Sequence, residues 1–187
     1  MSKGQYAGTL PRESEMDRDD ALEAFLAVVN LCEPDHPDND DCYPLSAENV
    51  DYGRTRTYYA RCGPKSGWGG EWAIYKTRMT YINEITRARH LALLVHEISH
   101  ITTSEYGKPG HPPAFWREMA FNALLVRDSI REREDGEMWA AFGDVSEDRF
   151  LKEVIDDPNS STVDRRYETV EERRRGMADL VGRPDLL

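Results

Sequence analysis

The segment His96-Glu97-Ile98-Ser99-His100 has the H-E-x-x-H pattern, which brings two imidazoles and a carboxylate together within five residues. On an α-helix, residues four apart lie on the same face one turn apart, so His96 and His100 can bind one metal ion. Glu97 is offset from that line by one residue, which suits a general base that takes a proton from an attacking water. The pattern therefore predicts a hydrolytic metal site.

A catalytic zinc site uses three protein ligands and keeps one position open. His111 is the natural third ligand, because it follows His100 across a loop whose glycines and proline let the chain fold back. The metzincin pattern would need Gly and His at the positions of Thr103 and Tyr106, which excludes it. Glu118 is the gluzincin-like alternative, but it misses the usual spacing by one residue, which rotates a helical side chain by about 100°. We therefore predict His111 as the third ligand.

Two β-rich segments precede the motif. Residues 56–62 and 71–82 are rich in β-branched and aromatic residues, and the glycines between them favour a turn. They predict a small antiparallel sheet made of hairpins.

Ahead of these segments, a polar stretch ends at Asp19 or Asp20, either of which can cap a first helix. The apolar face of that helix consists of Leu22, Phe25, Leu26, Val28 and Val29.

The helix that carries the motif is predicted to begin at Asn83 or Thr86. Its buried stripe consists of Leu91, Leu94, Val95, Ile98 and Ile101. A third helix opens at Pro112 and Pro113, because proline is tolerated in a first helical turn. The residues of this helix that are predicted to face the core are Phe115, Met119, Leu124 and Leu125.

These elements predict an α+β, zincin-like domain in which a small antiparallel sheet packs against the motif helix and its neighbouring helices. The domain is predicted to span residues 19–143. Residues 1–18 are polar and form a disordered lead-in. Residues 144–187 form a charged, partly helical tail with a short helix near residues 146–155.

The bulk charge argues against nucleic-acid binding. A formal net charge of −11 and a pI near 4.9 give the protein a field that repels phosphate backbones. Arginines do cluster locally, as at Arg173, Arg174 and Arg175, but we interpret them as solvated side chains among carboxylates.

Hydropathy and cysteine usage predict a cytoplasmic protein with no membrane partner. No stretch approaches the about 20 apolar residues that cross a bilayer, and the first residues lack the apolar core of a secretory signal. The three cysteines, Cys32, Cys42 and Cys62, form no C-x-x-C pair and indicate reduced thiols. A zinc ribbon is therefore not predicted.

Four further features have simpler interpretations. His90 precedes His96 by six residues and falls on another helix face, so it is not a predicted ligand. His36 lies in an acidic loop and is interpreted as solvated. The aspartates of that loop lack the Gly and closing Glu of a calcium site. Tyr106, between the ligands, is a candidate donor to a tetrahedral oxyanion.

The motif with its third histidine, H-E-I-S-H followed by G-H-P-P-A-F-W, resembles the SprT-like metallopeptidases, the family that includes the Spartan-type proteases. The likeness covers roughly residues 19–142 and is specific at the three histidines and the glutamate. Pro112 stands where that family usually has Gly, and Ala114 where it has an acidic or polar residue.

The resemblance implies that His96, His100 and His111 bind Zn²⁺ and that Glu97 is catalytic. It also implies an endopeptidase that acts on protein substrates, sometimes on proteins bound to DNA. The resemblance thus suggests nucleic acid as a partner, whereas the net charge of the protein argues against it. We expect a zinc-dependent endopeptidase with Glu97 as general base.

Two alternatives stay open at this point. One is a zinc-stabilised binding or structural module without turnover, against which the presence of Glu97 argues. The other is a regulatory metallopeptidase like the phage enzymes that cleave repressors, which tend to use an acidic third ligand.

Overall fold

The computed structural model describes residues 18–32, 50–54, 60–64, 73–77, 85–102, 111–132, 142–143, 145–156 and 169–187. The elements in chain order are α1 (Arg18–Cys32), β1 (Val50–Arg54), β2 (Ala60–Pro64), β3 (Ala73–Thr77), α2 (Arg87–Thr102), α3 (Pro113–Glu132), α4 (Glu147–Asp156), α5 (Val170–Leu180) and a 3₁₀ turn (Pro184–Leu186). The lead-in predicted for residues 1–18 lies outside this part, except for Arg18 at the start of α1.

The predicted fold, an α+β domain with a small antiparallel sheet, is wrong. Helices make up most of the described residues, and the three strands have only five residues each. The strand order is β1-β3-β2, with β2 antiparallel to β3 but β1 parallel to it. The prediction expected a sheet made only of hairpins, whereas β1 pairs with β3 in parallel and helices dominate the described residues. It also missed β1, whose sequence VDYGR contains glycine and two charged residues.

Helix α2 begins where Thr86 supplies its cap. The Oγ1 of Thr86 accepts a hydrogen bond from the backbone N–H of Arg89 at 3.2 Å, which satisfies one of the donors that a helix start leaves open. This confirms one of the two predicted starts. The residues from His90 to Ser99 are all buried. Because they cover more than two turns, α2 is buried on every face and not only along the predicted stripe.

The neighbours of α2 explain its burial. Helices α4, α3 and α1 and the backbone of strand β2 all lie against it. Apolar residues of these helices and of α5 join one core with those of α2. Helices α4 and α5, which fall in the segment predicted to be a charged tail, contribute to this core the residues Phe150, Leu151, Val154, Ile155, Met177 and Ala178.

Helix α3 opens at Pro113, as predicted. The backbone N–H of Phe115 donates to the carbonyl of Pro112 at 2.9 Å and closes the first turn. Phe115 and Met119 are fully buried, which confirms half of the predicted core face. Leu124 and Leu125 are only partly buried. Their places on the buried face are taken by Trp116, Ala120, Asn122, Ala123, Val126 and Ile130.

His90 is a buried polar residue on α2. Its side chain is inaccessible to solvent, and neither ring nitrogen has a hydrogen-bond partner in the part of the chain that the structure describes. The imidazole packs edge-on against Phe142 at a centroid distance of 5.7 Å. Burial, reinforced by the positive charge of Arg87, lowers the pKa of His90 to about 3.

This lowered pKa predicts acid sensitivity. In the unfolded chain His90 takes up a proton below about pH 6.5, whereas in the folded protein it stays neutral down to about pH 3. The unfolded state therefore binds more protons in this window, and stability is lost as the pH falls through it. Between pH 6 and pH 4 the parent should lose about 1 kcal/mol per pH unit more than His90→Leu.

Urea unfolding of both proteins across that range, in the presence of a chelator, measures the difference. The other histidines contribute equally to both profiles, so they cancel in the comparison. Parallel profiles for parent and variant between pH 6 and pH 4 would contradict a buried neutral His90.

Candidate metal centre

Helices α2 and α3 bring the three predicted histidines together. His96 and His100 project from one side of α2, and His111 lies two residues before α3 begins. Their ligand atoms all lie within 4.8 Å of one another, so this triad could hold a metal ion. His96 is buried, while His100 and His111 are partly buried.

The nitrogen positions can be compared with the needs of an ion. The Nε2 atoms of His96 and His111 are 3.2 Å apart. Two nitrogens about 2.0–2.1 Å from one ion at a tetrahedral angle would be about 3.3–3.4 Å apart. The spacing of 3.2 Å is close to that value. Three imidazoles suit several transition ions, so the geometry indicates a metal site without specifying which metal.

Glu97 lies next to His96 on the helix and is 3% exposed. It is engaged by other groups of the protein. A carboxylate this deeply buried needs such partners, because an unpaired buried charge is costly. The position is the one that the H-E-x-x-H pattern predicts for a base.

Glu118, the alternative third ligand, does not belong to the triad. Among the described residues, the group that can hold a metal contains the three histidines and no carboxylate. The charge of Glu118 instead affects Cys32. Burial and, to a smaller extent, the negative charge of Glu118 raise the pKa of the Cys32 thiol to about 12. Cys32 is a free thiol, as predicted, and it is buried.

The remaining predicted residues fall into two groups. His90 does not reach the triad and packs against Phe142 instead, which confirms its assignment to another face. Tyr106, His36 and the acidic loop lie outside the described residues.

Asn122 links the two helices that carry the ligands. Its Nδ2 donates to the hydroxyl oxygens of Ser99 at 3.1 Å and of Thr102 at 3.0 Å. Each hydroxyl donates its own hydrogen to a backbone carbonyl of α2 four residues earlier, that of Val95 or of Ile98. Both hydroxyls can therefore only accept from Asn122, which fixes the orientation of its amide.

This link was not predicted from the sequence. Asn122 is a polar residue on the buried face of α3 and is fully inaccessible to solvent, and its Oδ1 has no hydrogen-bond partner among the described residues. A single asparagine between Phe121 and Ala123 is a weak signal, because the periodicity of α3 alone did not place it on the buried face. Its partner Ser99 lies inside the motif, at a position that the pattern leaves free.

Comparison of the chain with protein-family models, with curated proteins and with solved structures finds no match. None of the helices in the described ranges is both long and apolar enough to span a membrane.

The link between the helices predicts a measurable coupling. Asn122→Ala should lower the free energy of unfolding by about 2 kcal/mol, since it removes two buried hydrogen bonds worth about 1 kcal/mol each. Ser99→Ala removes one of the same bonds. In a double-mutant cycle by urea unfolding, the two changes should therefore fall short of additivity by about 1 kcal/mol.

Ser146→Ala provides the control, because Ser146 accepts from Arg149 at the start of α4 and shares no hydrogen bond with Asn122. Its effect should add to that of Asn122→Ala within about 0.5 kcal/mol. If the effects of Ser99→Ala and Asn122→Ala were also fully additive, the side-chain amide of Asn122 would not hold the two helices together.

Proposed function

We propose that this chain is a zinc-dependent endopeptidase of the SprT-like type. The observation that carries the proposal is the clustering of the ligand atoms of His96, His100 and His111 within 4.8 Å of one another. Glu97, which follows His96 in the sequence, is also buried. Three histidines with an adjacent carboxylate form the arrangement that metal-assisted hydrolysis requires.

We propose zinc as the bound metal because of the donor set. Three neutral imidazoles form a ligand set of catalytic zinc sites, in which one position stays open. The described residues offer no fourth protein ligand within the group.

The proton transfers fall to Glu97. Bound zinc would polarise the scissile carbonyl and lower the pKa of the attacking water. Glu97 accepts the proton of that water and then delivers it to the leaving amine, which gives one carboxylate both the base and the acid role. Its burial favours this cycle, because little bulk water competes for the proton at a group that is 3% exposed.

The position of the third ligand supports the SprT-like assignment over the repressor-cleaving alternative. That alternative favours an acidic third ligand, and Glu118 is not part of the histidine group. His111 precedes Pro112, Pro113 and the buried pair Phe115 and Trp116, which is the order of residues on which the resemblance rests.

The ligand assignment predicts the result of metal analysis. The native protein should contain one zinc ion per chain, measured by mass spectrometry with and without a chelator. His111→Ala should lower the zinc affinity by more than the roughly 10–100-fold typical of losing an outer partner. Glu118→Ala is the matched control on α3 and should bind zinc as the parent does. If Glu118→Ala loses zinc and His111→Ala keeps it, the site is gluzincin-like and the SprT-like proposal is wrong.

The role of Glu97 predicts a separation of binding from catalysis. Glu97→Gln keeps the shape of the side chain and all three imidazoles, so the variant should stay folded and bind one zinc. Removal of the base should lower the cleavage of unfolded proteins such as casein by roughly 10²–10⁴-fold. Cleavage is measured on a panel of proteins, together with self-cleavage, because a narrow specificity hides activity on any single substrate.

Two outcomes would decide against an endopeptidase. Equal proteolysis by the parent and Glu97→Gln would identify a contaminating protease as the source. A parent that binds zinc, cleaves nothing on the panel and unfolds when zinc is removed would be a zinc-stabilised structural module.

A further inference from the structure

The rings of the triad and of Phe115 form a compact four-membered cluster. The three imidazole centroids are 4.9–5.0 Å apart, which makes a nearly equilateral triangle. The centroid of Phe115 is 5.0 Å from that of His96 and 4.5 Å from those of His100 and His111. The four centroids therefore lie at the corners of a nearly regular tetrahedron, with Phe115 over the face made by the three imidazoles.

This arrangement makes the two faces of the triad different. A phenyl ring in van der Waals contact with all three imidazoles fills one face and leaves no room there for an ion or a water. The imidazole nitrogens can therefore converge on a ligand only at the face away from Phe115. The ring forms an apolar base behind the nitrogens and does not itself contact what they bind.

Phe115 is in turn held firmly. Its side chain is inaccessible to solvent and lies in the first turn of α3, which the hydrogen bond from its N–H to Pro112 closes. Trp116 packs edge-on against Phe115 and at a tilt against His111, with a centroid distance of 5.3 Å in both cases. The position of the phenyl ring is thus fixed by the helix and by a second buried aromatic ring.

We propose that Phe115 is a positioning residue for the metal centre: its ring closes one face of the triad and fixes the orientation of the three imidazoles toward the other. The inference rests on the metal binding in the proposed function, but not on peptidase activity. A flat, rigid ring can contact three imidazoles at once, whereas a branched or flexible side chain of similar size cannot keep all three contacts. Outer-shell groups that orient ligands commonly change metal affinity by 10–100-fold.

The test compares two buried phenylalanines. Phe115→Leu retains an apolar side chain in the core but removes the flat ring behind the triad. Phe150→Leu makes the same change in α4, where Phe150 is equally inaccessible and has no ring contact with the triad among the described residues. Zinc affinity is measured by competition with a chromogenic chelator. The visible absorption of Co²⁺ bound in place of zinc reports coordination geometry, which a general loss of stability does not change.

Phe115→Leu should lower the zinc affinity at least about tenfold and alter the intensity and position of the Co²⁺ bands. Phe150→Leu should lower the unfolding midpoint but leave the affinity within about twofold of the parent, with the parent's Co²⁺ spectrum. Phe115→Met, which fills the space with a flexible chain, should behave as Phe115→Leu does and carries the test if that variant does not fold.

Unchanged affinity and spectrum in the Phe115 variants would overturn the proposal. An equal loss in Phe150→Leu would also overturn it, since the effect would then come from overall stability. A parent protein that binds neither zinc nor Co²⁺ would overturn the metal centre itself, and that failure is seen before any variant is compared.

Discussion

The burial of helix α2 on all sides is the constraint on which the rest of the structure depends. Its residues from His90 to Ser99 are inaccessible to solvent or nearly so. This stretch nevertheless includes four polar residues, namely His90, His96, Glu97 and Ser99. A polar group in such a place needs a partner or costs free energy. Ser99 is partnered by its own helix and by Asn122. His96 lies close to the other two histidines of the triad. His90 packs against Phe142, has no hydrogen-bond partner among the described residues and stays neutral.

The features that could be predicted from the sequence are those that depend on neighbouring residues of one helix or on the chemistry of the metal site. The spacing of His96, Glu97 and His100 follows from helix geometry alone, and His111 follows from the number of ligands that a catalytic site needs. Those inferences required no knowledge of tertiary structure, and the structure gathers the three histidines as expected. The cap at Thr86 and the proline start of α3 are also local effects, fixed by backbone donors within one turn.

The failures concern contacts between elements that are distant in sequence. The strand order β1-β3-β2 depends on which strand docks beside β3, and no local pattern encodes that choice. Likewise, the buried face of α3 was placed at Leu124 and Leu125, although Asn122 and Val126 are the buried residues. A hydroxyl pair on α2 makes an asparagine tolerable there, so the polar residue is explained only by its partner across the interface.

The geometry of the candidate site therefore depends on the interface between α2 and α3. Two ligands belong to α2, and the third immediately precedes α3, so any rotation of one helix against the other changes the 3.2 Å spacing of the nitrogens of His96 and His111. Two contacts oppose such a rotation and differ in kind. Asn122 supplies directional hydrogen bonds to α2, and Phe115 supplies dispersion contacts with all three imidazoles. Hydrogen bonds define an angle and dispersion defines a distance, so together they restrain both the rotation and the separation of the two helices.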